Sequence, residues 1–239
     1  MPSWAQTNFQ DGISPIAEYL VKFHDFTILI LTLILTFVSL VIFFILKKNY
    51  INKNLAAHHL LEFIWTLLPI IVLVTIAIPS LTLLFIMEDS SEAFVRIKAI
   101  GYQWYWTYEN FSSEQQREPF ERYIIPEKRG TQDLFRLLDT TNSLLAPVNI
   151  PTRILITSGD VLHSWTVPAL GVKADACPGR LNEVIILPLR TGTFFGQCSE
   201  ICGRNHRFIP IEVKVTSANL WRETIYVLRS KFKTGVFHF

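Results

Sequence analysis

The sequence predicts a two-helix transmembrane hairpin followed by an all-β domain. Two observations carry that class. Hydrophobic residues make up 50% of the 239-residue chain, which is high for a soluble protein, and they are concentrated before residue 88 in two long runs without a charge. Beyond residue 88 the runs shorten to stretches of five to seven residues in which apolar and polar side chains alternate, with Gly, Pro and Asn between them. That is the pattern of half-buried strands in a sandwich or barrel. The chain therefore divides into an N-terminal segment with two spans, 1–87, and an extramembrane domain, 88–239.

Residues 1–25 carry Asp11, Glu18 and Asp25 against a single Lys22. They lack a basic start followed by a small-residue cleavage site, so no cleavable signal peptide is expected. The first apolar run, 26–46, has 21 residues and as a helix would extend about 31 Å, close to the hydrocarbon thickness of a bilayer. Its polar members are Thr and Ser, which can bond back to their own helix, and Lys47 and Lys48 stop it. A polar hairpin with Lys53, His58 and His59 leads to the second run, 63–87, which contains Pro69 and Pro79. Two prolines predict kinks and partner helices, since neighbours must re-satisfy the freed carbonyls in lipid. The hairpin carries three lysines and no acid, so the positive-inside rule places it inside and both termini outside. Glu62, at the inner mouth of the second run, reads either as a snorkelling end-charge or as a point of proton entry, and the residues alone favour the first.

In the second part, strands are expected at 94–100, 153–157, 161–167, 182–187, 192–197 and 211–215. A long polar connection is expected at 112–133 and an amphipathic basic helix or tail at 221–233. There is no internal repeat. The formal net charge of +2 leaves none of the basic excess that nucleic-acid binding needs.

The chemistry concentrates in Gln197-Cys198-Ser199-Glu200-Ile201-Cys202-Gly203-Arg204-Asn205-His206. Two thiols and an imidazole in nine residues suit copper or zinc and do not suit magnesium or calcium. The spacing would line one face of a helix, but Gly203, Asn205 and Pro210 make it a compact loop. From this stretch alone a Cys198–Cys202 disulfide, a zinc site and a copper site all remain open. His163, in an otherwise apolar strand, supplies a second imidazole, and two thiolates with two histidines can bridge two coppers with one histidine on each. No base that a catalytic zinc would require is evident. Cys177 is left over. The aromatic run Tyr102-Gln103-Trp104-Tyr105-Trp106 would place alternate rings in the core and others at the surface. An exposed Trp beside a redox metal is a reasonable electron entry point.

Phe23-His24-Asp25, Glu62 with Ile64-Trp65-Thr66 and Leu68-Pro69, Ile78-Pro79-Ser80, Gln103-Trp104-Tyr105-Trp106, Asp160-Val161-Leu162-His163-Ser164-Trp165, Pro178-Gly179-Arg180, and Gly196 to Gly203 with Asn205-His206 form a set of motifs spread over nearly the whole chain. On those motifs the chain resembles the cytochrome c oxidase subunit II family. It implies a cupredoxin-like Greek-key barrel carrying a dinuclear copper centre, CuA. Cys198 and Cys202 would bridge the coppers, His163 and His206 would be terminal ligands, and the Glu200 backbone carbonyl a weak ligand. The Glu200 carboxylate would bind a magnesium ion shared with subunit I. Trp104 would receive the electron from cytochrome c, and Glu62 would match the family's proton-entry glutamate. Subunit I would hold the haems and reduce oxygen. The implied location is the mitochondrial inner membrane with the copper domain in the intermembrane space, a bacterial plasma membrane being the alternative. A copper-free structural subunit with a Cys198–Cys202 disulfide is the competing reading.

Three departures stand out. Ile209 occupies the position of the family's methionine, a weak axial copper ligand. The chain has 27 isoleucines and 2 methionines, and some mitochondrial codes read AUA as Met, so a standard-code translation would write Ile there; an AT-rich genome also explains the excess. The acids that would steer a basic cytochrome c are reduced to Glu109, Asp139 and Asp160, with Thr141 and Gly159 in place of others. Cys177 stands where the family has a small apolar residue and is read as a non-ligand.

Overall fold

The computed structural model describes residues 5–47, 57–88, 93–110, 120–122 and 135–233. They fall into two compact units, Tyr19–Ile86 and the combination of Met1–Glu18 with Met87–Phe239.

The first unit is built from α1 (Pro15–Lys47) and α2 (His59–Glu88), both long and apolar enough to cross a membrane. Each is longer than the uncharged run that predicts it. The only buried residues of the two helices are Ala17 and Leu83, so their Leu, Ile, Val and Phe side chains face outward, as the bilayer as solvent requires. Thr27, Thr32 and Thr36 in α1, and Thr66, Thr75 and Thr82 in α2, each donate a hydroxyl to the carbonyl four residues earlier. The polar members of both runs are thereby satisfied within their own helix. α2 continues through Pro69 and Pro79 without a break.

Among the described residues, the second unit has ten strands and a C-terminal helix. In chain order they are β1 (Val95–Tyr102), β2 (Tyr105–Asn110), β3 (Phe120–Arg122), β4 (Leu144–Pro147), β5 (Thr152–Ser158), β6 (His163–Val167), β7 (Val172–Ala176), β8 (Asn182–Ile186), β9 (Gly192–Gln197), β10 (Pro210–Thr216) and α3 (Ala218–Lys233). They form sheets of order β3-β2-β1-β5-β8, β4-β10-β9 and β6-β7. β1 runs parallel to β5, and β10 parallel to β4. Those crossed connections separate the domain from an up-and-down meander and fit the expected barrel class. Alternation along β5, buried at Thr152, Ile154, Ile156 and Ser158, supplies one wall of a core that also takes in Trp106, Trp165, Ile186, Ile211 and Val213.

The expected strands recur with shifted ends, and one shift has a clear cause. The strand expected from 161 begins at His163. Ser158 and Asp160 first build a turn, the Asp160 carboxylate accepting the Val161 N–H at 2.6 Å and the Ser158 hydroxyl bonding the Val161 carbonyl, the local competition with sheet pairing typical of such side chains. Strands β2, β4 and β7 add to the expected set. The connection expected over 112–133 lies outside the described residues except at β3, which pairs with β2. The C-terminal helix starts three residues before its expected position, and the Trp221 indole N–H donates to Leu145 O at 3.4 Å.

The N-terminal residues just before α1 are part of the β core. Ile13 is 1% exposed, its N–H donates to Ala169 O at 2.8 Å and its carbonyl accepts from Leu189 N–H at 2.7 Å. Ser14 donates to Leu170 O at 2.6 Å and accepts the Ala17 N–H at 3.1 Å, capping the helix start. Ile13→Ala should cost the β domain about 2–4 kcal/mol through the cavity it leaves. Urea unfolding of the detergent-solubilised chain, followed by near-UV circular dichroism, measures it; an unchanged midpoint would show that the segment is not part of the folded core.

Candidate metal centre

The site lies between the start of β6 and the loop joining β9 to β10. His163 opens β6 fully buried, its ring edge-on to Trp106 at 6.0 Å. The ring lies directly over Gly101 of β1, where a Cβ would sit 2.9 Å from His163 Cγ and Cδ2. Any side chain at 101 would displace the imidazole. His163 Nε2 lies 2.9 Å from Asp160 Oδ1 and Nδ1 lies 3.8 Å from Cys198 Sγ. With the proton on Nε2 and donated to Asp160, Nδ1 is left as a metal donor, a carboxylate–imidazole arrangement that fixes tautomer and ring direction together.

The loop is irregular, as expected from Gly203 and Pro210, and ends in a 3₁₀ turn at His206–Phe208. Its backbone is tied across its own two ends, to β6 and to the tip of the β1–β2 hairpin. Cys198 N–H donates to Ile209 O at 3.0 Å, Ser199 N–H donates to Ser164 O at 3.1 Å, and the Gln103 side-chain amide donates to Cys202 O at 2.8 Å. These bonds bring the donor atoms into a row: His163 Nδ1 to Cys198 Sγ 3.8 Å, Cys198 Sγ to Cys202 Sγ 4.0 Å, and Cys202 Sγ to His206 Nδ1 3.5 Å. The donor atoms of His163, Cys198 and Cys202 all lie within 4.8 Å of one another, and all three residues are buried. All three cysteines are free, and a gap of 4.0 Å between the sulfurs is about twice a disulfide bond length. Two sulfurs flanked by two imidazoles form a soft donor set that fits copper or zinc.

The protonation pattern follows from the crowding. Burial raises the Cys198 thiol, but hydrogen bonding with His163 and with the backbone of Ser164 and Glu200 outweighs it and brings it down to about 6. Burial and the neighbouring Cys198 charge push the Cys202 thiol up to about 12. Burial lowers His163, yet its bonds to Cys198 and Asp160 win and raise it above the usual imidazole value. Asp160, raised by burial, is held below the ordinary carboxylate range by His163 and by the N–H groups of Val161 and Gln103. Without metal the site therefore favours a Cys198 thiolate bonded to His163 beside a neutral Cys202 thiol.

The other sequence-predicted residues distribute as follows. Glu200 is half-buried, with its backbone carbonyl oxygen 3.4 Å from Cys198 Sγ; its carboxylate does not join the His–Cys–Cys group. Trp104 is half-buried at the tip of the β1–β2 hairpin and packs against the core. Ile209 is fully buried in the cluster that contains Cys198 and Cys202. Glu62 is in the first turn of α2 with its carboxylate 3.6 Å from His59 Nδ1. Cys177 stands apart from the cluster, its carbonyl accepting from Thr157 Oγ1 and Arg180 N–H. The three acids read as a docking patch are each engaged within the domain. Glu109 pairs with Lys98 at 3.3 Å, Asp139 accepts the Phe135 N–H, and Asp160 serves His163 and Gln103. The part of Asp160 in orienting His163 had a sequence signal, an acid three residues before a candidate ligand histidine; the Gln103 bond to the loop had none.

Comparison with known proteins matches residues 95–216 to the family model "Cytochrome C oxidase subunit II, periplasmic domain" and residues 2–83 to "Cytochrome C oxidase subunit II, transmembrane domain". Cytochrome c oxidase subunit 2 of Drosophila simulans is 48% identical over 219 residues, 92% of this chain and 95% of that protein. The crystal structure of the periplasmic domain of subunit II of cytochrome oxidase (CoxB) of Bradyrhizobium japonicum is similar with TM-score 0.53 and 38% identity, covering 59% of this chain and 97% of that one. A second similar structure, with TM-score 0.51 and 37% identity over 61% of this chain and 97% of that one, is the mixed disulfide intermediate between a thioredoxin-like protein and subunit II of cytochrome c oxidase.

Metal uptake should release protons. A bound metal needs two thiolates and neutral imidazoles, so at pH 7 the proton on Cys202 must leave, along with whatever proton His163, held above its ordinary value, still carries. Below about pH 6 Cys198 is protonated as well, so the release rises and the affinity falls. Titrating the copper-free protein in weakly buffered solution with an indicator dye counts them; a release independent of pH from 5 to 8 would contradict this protonation pattern.

Proposed function

The chain belongs to the cytochrome c oxidase subunit II family and is thus a subunit of an oxidoreductase complex, and we propose that it is the electron-entry subunit, taking electrons from cytochrome c at a dinuclear copper centre. The observation that carries this is the row of donor atoms His163, Cys198, Cys202 and His206, spaced at 3.8, 4.0 and 3.5 Å. Cys198 and Cys202 would hold the two coppers between them, with His163 and His206 at the two ends and the Glu200 carbonyl as a weak fifth donor. Copper bound there would accept and release one electron at a time, spread over both ions. Trp104, at the hairpin tip beside the loop, would take the electron from cytochrome c. The haem and copper centres of subunit I would then reduce oxygen to water, coupled to proton pumping.

The protein's own contribution is a fixed frame. Asp160 holds His163 in one tautomer, Gly101 leaves room for its ring, and the bonds from Ser199 and Gln103 immobilise the loop on both sides. Ligands that barely move between redox states suit fast electron transfer. Family membership favours copper over the zinc alternative, and the free, separated sulfurs weigh against the disulfide reading.

Further assignments rest on the family alone. Glu62 is the proton-entry candidate, and the Glu200 carboxylate is the candidate for a magnesium site completed by subunit I. The relatives from insects favour the mitochondrial inner membrane over a bacterial plasma membrane. Ile13 and Ser14 pack into the β core, which supports both termini and the copper domain lying on one side, in the intermembrane space. Thiols facing that compartment are open to oxidation, and the mixed disulfide of the bacterial relative supports a thioredoxin-like protein as the agent that keeps Cys198 and Cys202 reduced for metal loading.

Two experiments test the reading. The purified wild-type chain should hold about two coppers with a mixed-valence electron paramagnetic signal, and Cys198→Ser or Cys202→Ser should abolish it. A colourless wild-type protein with no copper and an oxidised cysteine pair would overturn the assignment. Mass spectrometry of the peptide containing Phe208 should find methionine at position 209 if AUA is read as Met; an isoleucine mass there sinks that explanation and leaves a site without the axial sulfur.

A further inference from the structure

Gln103 lies at the exposed tip of the β1–β2 hairpin, where a polar side chain ordinarily bonds only water. Here its two donors serve the two ends of the metal centre. The backbone N–H donates to Asp160 Oδ2 at 2.6 Å, and Asp160 Oδ1 lies 2.9 Å from His163 Nε2. The side-chain amide donates to Cys202 O at 2.8 Å across 99 residues of sequence. His163, Asp160, Gln103, Cys202 and Cys198 thus form a closed ring of polar contacts around the candidate site.

The next residue along is Trp104. Its indole Nε1 is shielded from solvent with no hydrogen-bond partner among the described residues, so no polar bond of its own fixes the ring. What lies against it is Gly203. A Cβ on Gly203 would come within 3.1 Å of Gln103 Nε2 and 3.4 Å of Trp104 Cζ2 and Nε1. Gly203 also has a φ of +121°, which an L side chain rarely adopts. The loop therefore presents bare backbone to the hairpin tip at the point where Gln103 grips it. In a chain whose indole lacks a bond of its own, the neighbouring amide is the group that sets where the ring sits.

We propose that Gln103 is a positioning residue for electron entry: its amide, bonded to the Cys202 carbonyl, holds the Trp104 indole against the Cys202–Gly203 backbone so that the entry ring and the sulfur pair move as one body. This rests on the copper-centre reading above. It goes beyond that reading because it assigns the coupling to a residue that touches neither the metal ligands' donor atoms nor the donor protein's electron. The electron balance is simple: one electron leaves reduced cytochrome c, which is oxidised, and one is gained by the centre in this chain, with no bond made or broken. Electron tunnelling falls off exponentially with separation, so a loosened ring slows the step without altering the ligands.

Side-chain variants isolate the Cys202 bond, because the backbone bond to Asp160 survives all of them. Gln103→Met keeps the length and removes the donor; Gln103→Lys restores a donor. In the copper-free full-length chain in detergent, acrylamide quenching of the Trp104 emission, taken as the difference from Trp104→Phe, should rise in Gln103→Met and return towards wild type in Gln103→Lys. In the intact oxidase, Gln103→Met should lower the limiting rate of first-electron uptake at saturating reduced cytochrome c on the order of tenfold, within the range seen for small misplacements. The mixed-valence copper signal and the Kd for cytochrome c should stay unchanged, and Gln103→Lys should recover most of the limiting rate. Unchanged quenching with an unchanged limiting rate overturns the proposal. A change in Kd alone overturns it in favour of a docking role, and loss of the copper signal overturns it in favour of a structural one. If the wild-type oxidase shows no such copper signal, the functional reading has failed, and the quenching comparison still decides whether Gln103 holds the ring.

Discussion

Two buried sulfur atoms 4.0 Å apart in an otherwise largely exposed loop are the constraint on which the β domain depends. Without a metal, only one of the pair can ionise readily, since the charge on Cys198 and the burial both work against Cys202. A loop with no strand or helix ladder of its own has little to resist that repulsion. The fold resists it by tying the loop's backbone to β6 through Ser199, to the β1–β2 tip through Cys202, and to the start of β10 through Cys198 and Ile209. Each tie comes from a different part of the sheet system, so the loop cannot relax in one direction without straining a bond in another. A metal that binds both thiolates removes the repulsion and meets a frame already set.

Asp160 shows how charge is spent in such a frame. A carboxylate near the entry face reads in the sequence as part of a steering patch for a basic partner. In the structure it accepts from Val161, Gln103 and Ser158 and orients His163. A charge neutralised by an adjacent imidazole and by backbone donors projects a weaker field than a free one. Glu109 is likewise balanced by Lys98. A basic molecule approaching Asp160 and Glu109 would meet little free charge, and the side chains next in sequence to His163 and Cys202, Leu162 and the 79% exposed Ile201, are exposed and apolar.

What the sequence made legible is what has a local signature. The two spans are visible because lipid permits no charge, and the strands β1, β5 and β10 because burial on one face imposes a period of two. Cys198, Cys202 and His206 announce themselves by spacing, and His163 by being polar in an apolar strand. The parts that were not legible depend on partners far apart in the chain. Strand β7 is short and weakly alternating, and it pairs with β6. The contribution of Ile13 is set by Ala169 and Leu189, more than 150 residues away, and nothing in residues 11–17 distinguishes them from a solvated leader. Gln103 looks like any hairpin-tip residue until the Cys202 carbonyl is placed beside it.

The N-terminal hook has a consequence for how the chain folds. A β core that includes Ile13 cannot close until the residues before α1 and the strands after α2 are on the same side of the bilayer. Those residues are separated by both spans, so insertion of both spans has to precede completion of the core. Contacts of such high sequence separation form late, after the entropy of the intervening chain has been restricted, and here the two helices do that restricting. Because the hook seals the core next to the β6–β7 sheet through Ala169 and Leu170, and β6 opens on His163, the order of events places correct membrane topology upstream of a finished metal frame.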